Sequence, residues 1–149
     1  MKRGNGAWEE IRQSLEQKTR ELHRLVSQPF HSLSLIREED VPETIGVYLL
    51  YDDKFNLPIY AGKAEQVKPK KSGKPSGLCF RIMHNHLGKA GDDNFLQYLA
   101  EEIRGDRKQA VQYVKQHCSC QWIELGNARE AVLLEHFAIA VLNPPLNKG

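Results

Sequence analysis

The stretch Gly46-Val47-Tyr48-Leu49-Leu50-Tyr51-Asp52-Asp53-Lys54-Phe55-Asn56-Leu57-Pro58-Ile59-Tyr60-Ala61-Gly62 decides the fold. An apolar and aromatic run ends at Tyr51, a polar turn covers Asp52 to Asn56, and a second run returns through Pro58-Ile59-Tyr60. That is the pattern of a β-hairpin, with Pro58 at the start of the returning strand, where a missing N–H does least harm. Side chains alternate along a strand, so Tyr48 and Leu50 share one face and Val47, Leu49 and Tyr51 the other. Tyr48 and Tyr60 then fall side by side on neighbouring strands, with Lys63 just beyond Gly62. Two phenols beside an ammonium are an unusual grouping for a small domain.

Downstream of the hairpin, Lys63, Lys68, Lys70, Lys71 and Lys74 occur with one acid, Glu65, and Pro69, Gly73, Pro75 and Gly77 exclude regular structure. A lysine-rich loop is ordinarily a solvated surface segment. This one leaves the Tyr60–Gly62 strand directly, so a phosphate approaching the tyrosines would meet it, and such lysines give salt-dependent, sequence-blind affinity for phosphodiesters. Leu78 to Leu87 has helical spacing and contains a single arginine, Arg81, with Gly88 as C-cap. Asn94 to Arg104 and Arg107 to His117 read as two further helices, and Cys118 to Leu125 alternates as a third strand. His117-Cys118-Ser119-Cys120 lacks the paired spacing of a structural zinc site, and strand cysteines facing a core are the better reading. Asn127 is placed as N-cap of a last helix, Ala128 to Leu142, with Glu130 completing a capping box. That gives Glu130 a structural task. Glu135 is an acid inside an apolar stretch, where its charge needs a cation to offset it. Asn143 reads as a C-cap before Pro144.

Upstream, Trp8, Ile11, Leu15, Leu22 and Leu25 recur at helical spacing from about Ala7 to Ser27, and Pro29 stops the helix. The same positions fit a short heptad pattern with Lys18 in one apolar slot, so packing on the domain and pairing with a second copy are both open. Phe30 to Ile36 reads as irregular or weakly extended. The division expected is a helical arm over 1–44 and a main domain over 45–149.

At 149 residues the chain is long enough to bury a core without staples. The net charge of +2 announces no nucleic-acid partner by itself. No apolar run reaches the length of a membrane span, and the polar N-terminus is unlike a signal peptide. Three cysteines, an odd number, argue against a disulfide framework and fit a reducing cytoplasm.

The pair Gly46-Val47-Tyr48 and Tyr60-Ala61-Gly62 resembles the signature of the GIY-YIG nucleases, which cut DNA phosphodiesters with one divalent metal. Lys63, Arg81, Glu135 and Asn147 follow in the family's order, with Asn147 twelve residues past Glu135. The resemblance spans residues 45 to 149. It implies an α/β (α+β) fold with a small central antiparallel three-stranded sheet flanked by helices, in agreement with the three strands read above. It also implies one Mg²⁺ or Mn²⁺ per active site on Glu135, phosphate contact by Arg81 and Lys63, and a positioning role for Asn147.

Either Tyr48 or Tyr60 fits the general base; Tyr48 is favoured, with Tyr60 orienting the water. Many members carry a His or Tyr four residues after the arginine, where this chain has Asn85. Positions three and four apart share a helix face and the fifth turns away, so His84 is favoured over His86. The implied substrate is DNA, with Lys63, Lys68, Lys70, Lys71, Lys74 and Arg81 as its contacts. A compact chain without room for further DNA-reading domains points to a restriction-type or stand-alone phage-type enzyme, with a homodimer formed through the N-terminal helix or on DNA to cut both strands. The rival reading is a non-catalytic nucleic-acid-binding module that has kept the fold.

Overall fold

The computed structural model describes residues 3–67, 75–88 and 94–148. The hairpin forms as its alternation predicts. Strand β2 (Gly46–Asp52) pairs antiparallel with β3 (Tyr60–Ala64), Tyr48 opposite Gly62 and Leu50 opposite Tyr60. On its other side β2 pairs antiparallel with β4 (Cys118–Glu124), Tyr48 opposite Trp122. Every residue of β2 is buried, because this central strand is covered on both faces. That is why it reads as an almost continuous apolar run.

The sheet has four strands rather than three. A two-residue strand, β1 (His31–Ser32), adds to β4 through His31 opposite Cys120, giving the order β1-β4-β2-β3. Two residues carry no period, so alternation has nothing to display there. The segment before residue 45 therefore contributes a strand as well as a helix.

The two faces bury different cores. Tyr48, Leu50, Cys118 and Cys120 face a cluster with Leu78, Ile82, Phe95, Leu96 and Val114. These come from α2 (Gly77–Cys79), the helical turns that continue it over Phe80–Asn85, α3 (Asn94–Glu102) and α4 (Arg107–His117). Val47, Leu49, Tyr51 and Ala61 face the other way, against Leu25 of α1 (Arg3–Val26) and Ala131, Leu134 and Ala138 of α5 (Ala128–Leu142). Helix α5 begins as expected: Asn127 Oδ1 accepts from Glu130 N at 2.9 Å, although Glu130 returns its carboxylate to Gly126 N rather than to the cap residue. It ends at Asn143 in the left-handed conformation, φ 46°.

Only the C-terminal half of α1 is docked. Leu25 is fully buried, whereas Trp8, Ile11 and Leu15, on the same helical stripe, are 54%, 51% and 45% exposed. The docked end is fastened by Gln121 of β4, itself fully buried. Its Nε2 donates to Val26 O and Gln28 O, and its Oε1 accepts from Tyr51 Oη at 2.7 Å. These three bonds use both amide hydrogens and the carbonyl oxygen of Gln121, as burial requires. Among the described residues no helix is long and apolar enough to cross a membrane.

Candidate active site

Tyr48 is completely buried, and its ring lies across the backbone of Gly62 on the neighbouring strand. A Cβ at residue 62 would stand 2.3 Å from both Cζ and Oη of Tyr48. At Gly46 a Cβ would meet Ile123 O at 2.2 Å and Leu78 Cδ1 at 2.8 Å. Both signature glycines thus clear space for close approach across the sheet, and the phenol of Tyr48 is carried over Gly62 toward β3, the edge strand.

At that end the Tyr48 hydroxyl meets His86 Nε2 at 2.5 Å. The His86 ring is fully buried between Tyr48 and Tyr60, with ring centroids 5.4 Å from each, and Phe95 closes the group at 5.0 Å from both His86 and Tyr60. Tyr48 and Tyr60 are neighbours, their centroids 6.4 Å apart. The side-by-side placement expected from the hairpin is present, and a histidine sits against both rings.

That histidine is not His84. Residues Phe80–Asn85 wind as a π-helix, and His86 N donates to Arg81 O across five residues at 3.3 Å. The wider turn brings the fifth residue round under the first, whereas an α-helix would turn it away. His84 is carried outward, where Nε2 lies 3.0 Å from Glu38 Oε1 and the ring stacks on Phe80 at 5.7 Å. The expectation favouring His84 over His86 assumed α-helical winding. The sequence offered one signal only, a second histidine close to Arg81. Arg81 itself opens the π-turn and is half-buried.

Lys63 and Glu135 meet on the opposite face of β3. Lys63 pairs with Val47 and so points to the α5 side, where its Nζ lies 3.4 Å from Glu135 Oε1. It also lies 3.0 Å from Glu65 Oε1, a contact that spacing alone does not single out. Burial works to lower the Lys63 pKa, but the hydrogen bond to Glu65 and the charges of Glu135 and Glu65 outweigh it. The ammonium therefore titrates above the ordinary lysine value and is charged at neutral pH. The cation that a carboxylate on the apolar side of α5 needs is thus Lys63.

Asn147 secures the strand between the two groups. Its Oδ1 accepts from Ala61 N at 2.7 Å and its Nδ2 donates to Ala61 O at 2.8 Å, while Leu146 N donates to Ile59 O. The tail, which turns at residues 145–146, thereby covers the outer edge of β3. Ala61 lies between Tyr60 and Gly62, so this clasp fixes the tyrosine side and the lysine side together. Of the residues expected at the site, Tyr48, Tyr60, Lys63, Glu135 and Asn147 gather around β3 and Arg81 starts the turn that delivers His86; His84 stands apart. Lys68, Lys70, Lys71 and Lys74 lie outside the described residues.

The donor set suits one kind of metal. Among the described residues no group of three or more His, Cys, Asp and Glu could hold an ion. Zinc, which takes three or four protein ligands, finds no such set among the described residues. A sparse set of carboxylates such as Glu135 fits Mg²⁺ or Mn²⁺, hard cations that keep most of their waters.

The chain matches no protein-family model, and no curated protein matches it. Solved structures do. One is the N-terminal endonuclease domain of UvrC from Thermotoga maritima bound to magnesium, its catalytic divalent cation, at 22% identity over 78% of this chain and 92% of that one, with a TM-score of 0.42. That structure is of a GIY-YIG endonuclease domain. Point mutants of the same GIY-YIG domain bound to the cation, a tyrosine-to-phenylalanine and an asparagine-to-alanine form, are each 21% identical, with TM-scores of 0.43 and 0.42. They cover 72% and 79% of this chain, and 87% and 92% of their own length is matched.

Proposed function

We propose that this protein is a divalent-metal-dependent DNA endonuclease that hydrolyses phosphodiester bonds. The observation that carries the reading is the Tyr48–His86 hydrogen bond of 2.5 Å, made at a strand whose other face carries the Lys63–Glu135 pair. A buried phenol bonded to an imidazole has a ready acceptor for its proton, as general-base catalysis requires. A neutral His86 protonated on Nδ1 takes the Tyr48 proton at Nε2 as Tyr48 takes one from the attacking water. The water oxygen bonds to phosphorus, the bond to the 3′ oxygen breaks, and that oxygen is protonated from solvent, leaving a 5′-phosphate and a 3′-hydroxyl.

Tyr60, beside both rings, orients the water. Lys63 and Arg81 offset the charge that the phosphate gains in the transition state. Asn147 clasps β3 at Ala61 and so keeps the groups on its two faces in a fixed relation. Glu135 would hold a Mg²⁺ or Mn²⁺, which would supply Lewis-acid chemistry at the phosphate. Lys68, Lys70, Lys71 and Lys74 extend the DNA contact along the backbone. The exposed Trp8–Ile11–Leu15 stripe is suited to joining two copies, which would let a restriction-type or phage-type enzyme cut both strands; sedimentation as a monomer both alone and on DNA would rule that out.

Incubation of supercoiled plasmid with and without Mg²⁺, beside Glu135→Ala, tests the reading. Metal-dependent nicking or linearisation that disappears in the variant supports it. DNA binding without cleavage of duplex, single-stranded or branched DNA in Mg²⁺ or Mn²⁺ would mean a nucleic-acid-binding module instead. Cleavage that survives Glu135→Ala would mean that the metal is held elsewhere.

A further inference from the structure

Lys63 is gripped by two carboxylates of different origin. Glu135 projects from α5 with a side chain 13% exposed, and Glu65 follows β3 two residues after Lys63 with a side chain 43% exposed. On extended backbone, residues two apart point to the same side, so Glu65 accompanies Lys63 on one segment while Glu135 approaches from another. A divalent cation on Glu135 competes with the Lys63 ammonium for the same oxygen and repels it at short range. An ammonium held by Glu135 alone would either be expelled by the cation or keep it out. The second carboxylate removes that conflict, since it offsets one positive charge and gives Nζ a place to remain. Glu65 is none of the residues to which the sequence resemblance assigns a role.

We propose that Glu65 is a positioning residue that retains Lys63 beside the site when Glu135 takes up Mg²⁺ or Mn²⁺. The proposal rests on the reading of Glu135 as the cation-holding residue. It predicts a coupling. Without Glu65, Lys63 falls back on Glu135 alone, and cation affinity drops because the ammonium must first be displaced. Without Lys63 there is nothing to displace, and Glu65 becomes nearly silent.

The test is Mn²⁺ titration of the full chain, followed by the paramagnetic resonance signal of free Mn²⁺, in four proteins: the native chain, Glu65→Gln, Lys63→Met and the double variant. Thermal melting establishes that each is folded, and Glu65 is exposed enough for its substitution to be tolerated. Glu65→Gln is expected to weaken Mn²⁺ binding about tenfold in the native background. In the Lys63→Met background the same substitution should change binding by about threefold at most. Equal weakening in both backgrounds would make Glu65 a direct ligand and overturn the proposal, as would no weakening in the native background. Glu135→Gln separates this from the underlying reading. Binding that persists there overturns the cation site itself, and the proposal with it. Binding lost there while Glu65→Gln is silent overturns the proposal alone.

Discussion

Asn147 pairs with the peptide of Ala61 as another strand would, accepting from its N–H at 2.7 Å and donating to its C=O at 2.8 Å. One side chain thereby closes the edge of the sheet at the residue between Tyr60 and Gly62. Asn147→Ala removes both bonds and is expected to cost about 1–3 kcal/mol of stability, read from urea unfolding. Asn147→Asp keeps the acceptor but sets an anion against the Ala61 carbonyl, so it should be no more stable than the alanine variant. An aspartate variant as stable as the native chain would show that the donor half of the clasp contributes nothing.

His86 and His84 are separable by rate. His86→Ala removes the partner of the Tyr48 hydroxyl and should lower Mg²⁺-dependent cleavage about 10²- to 10⁴-fold. His84→Ala breaks a surface contact to Glu38 and should stay within about fivefold of the native rate. Plasmid-nicking time courses at equal protein concentration decide it. The reverse order would give the catalytic place back to His84.

Gly62→Ala puts a methyl group where the Tyr48 ring stands, 2.3 Å from its hydroxyl oxygen. The ring must move or the strands must part, at about 1–3 kcal/mol. Because the Tyr48–His86 bond is broken by either movement, cleavage should fall further than the loss of folded protein accounts for. Unchanged melting and cleavage would show that the ring does not need that space.

Alkaline pH should unfold the chain earlier than ordinary side chains would. Burial pushes Tyr51 up from 10.0 to about 12. Burial, then the charges of Asp52 and Asp53, pushes Cys118 up from 9.0 to about 12; burial, then Cys118, does the same for Cys120. The unfolded chain gives up these protons first, so their contribution is whole below about pH 9 and is lost progressively up to about pH 12. Urea midpoints at about pH 8, 10 and 11 should fall steadily. The same burial should make both thiols slow toward a disulfide reagent in the native chain and fast in denaturant.

The parts of this architecture that were legible are those in which one residue type has one local task. The Asp-rich turn and Pro58 mark the hairpin, and the alternation along β2 assigns Tyr48 and Val47 to the faces they occupy. Asn127 and Asn143 mark the ends of α5. What escaped depends on partners rather than on composition. β1 is defined by pairing with β4, and two residues cannot announce that. His86 reaches Tyr48 through a hydrogen-bond ladder of five, and nothing in Phe80–Asn85 distinguishes that winding from an α-helix. The resemblance drew attention to Asn147, but its grip on Ala61 appears only when the tail lies along β3. Glu65 looked like the one acid in a basic loop; its pairing with Lys63 needed the extended backbone between them.

The π-turn makes the length of this helix partly interchangeable. Arg81 and His86 are separated by one residue more than an α-helical turn would need, and the wider winding absorbs the surplus. A chain one residue shorter between them could deliver the same guanidinium and imidazole from a plain α-helix. A chain one residue longer would have no regular winding left to absorb it. Spacing along the sequence is thus a poor measure of equivalence in this segment, and the tolerance it allows runs toward deletion and against insertion.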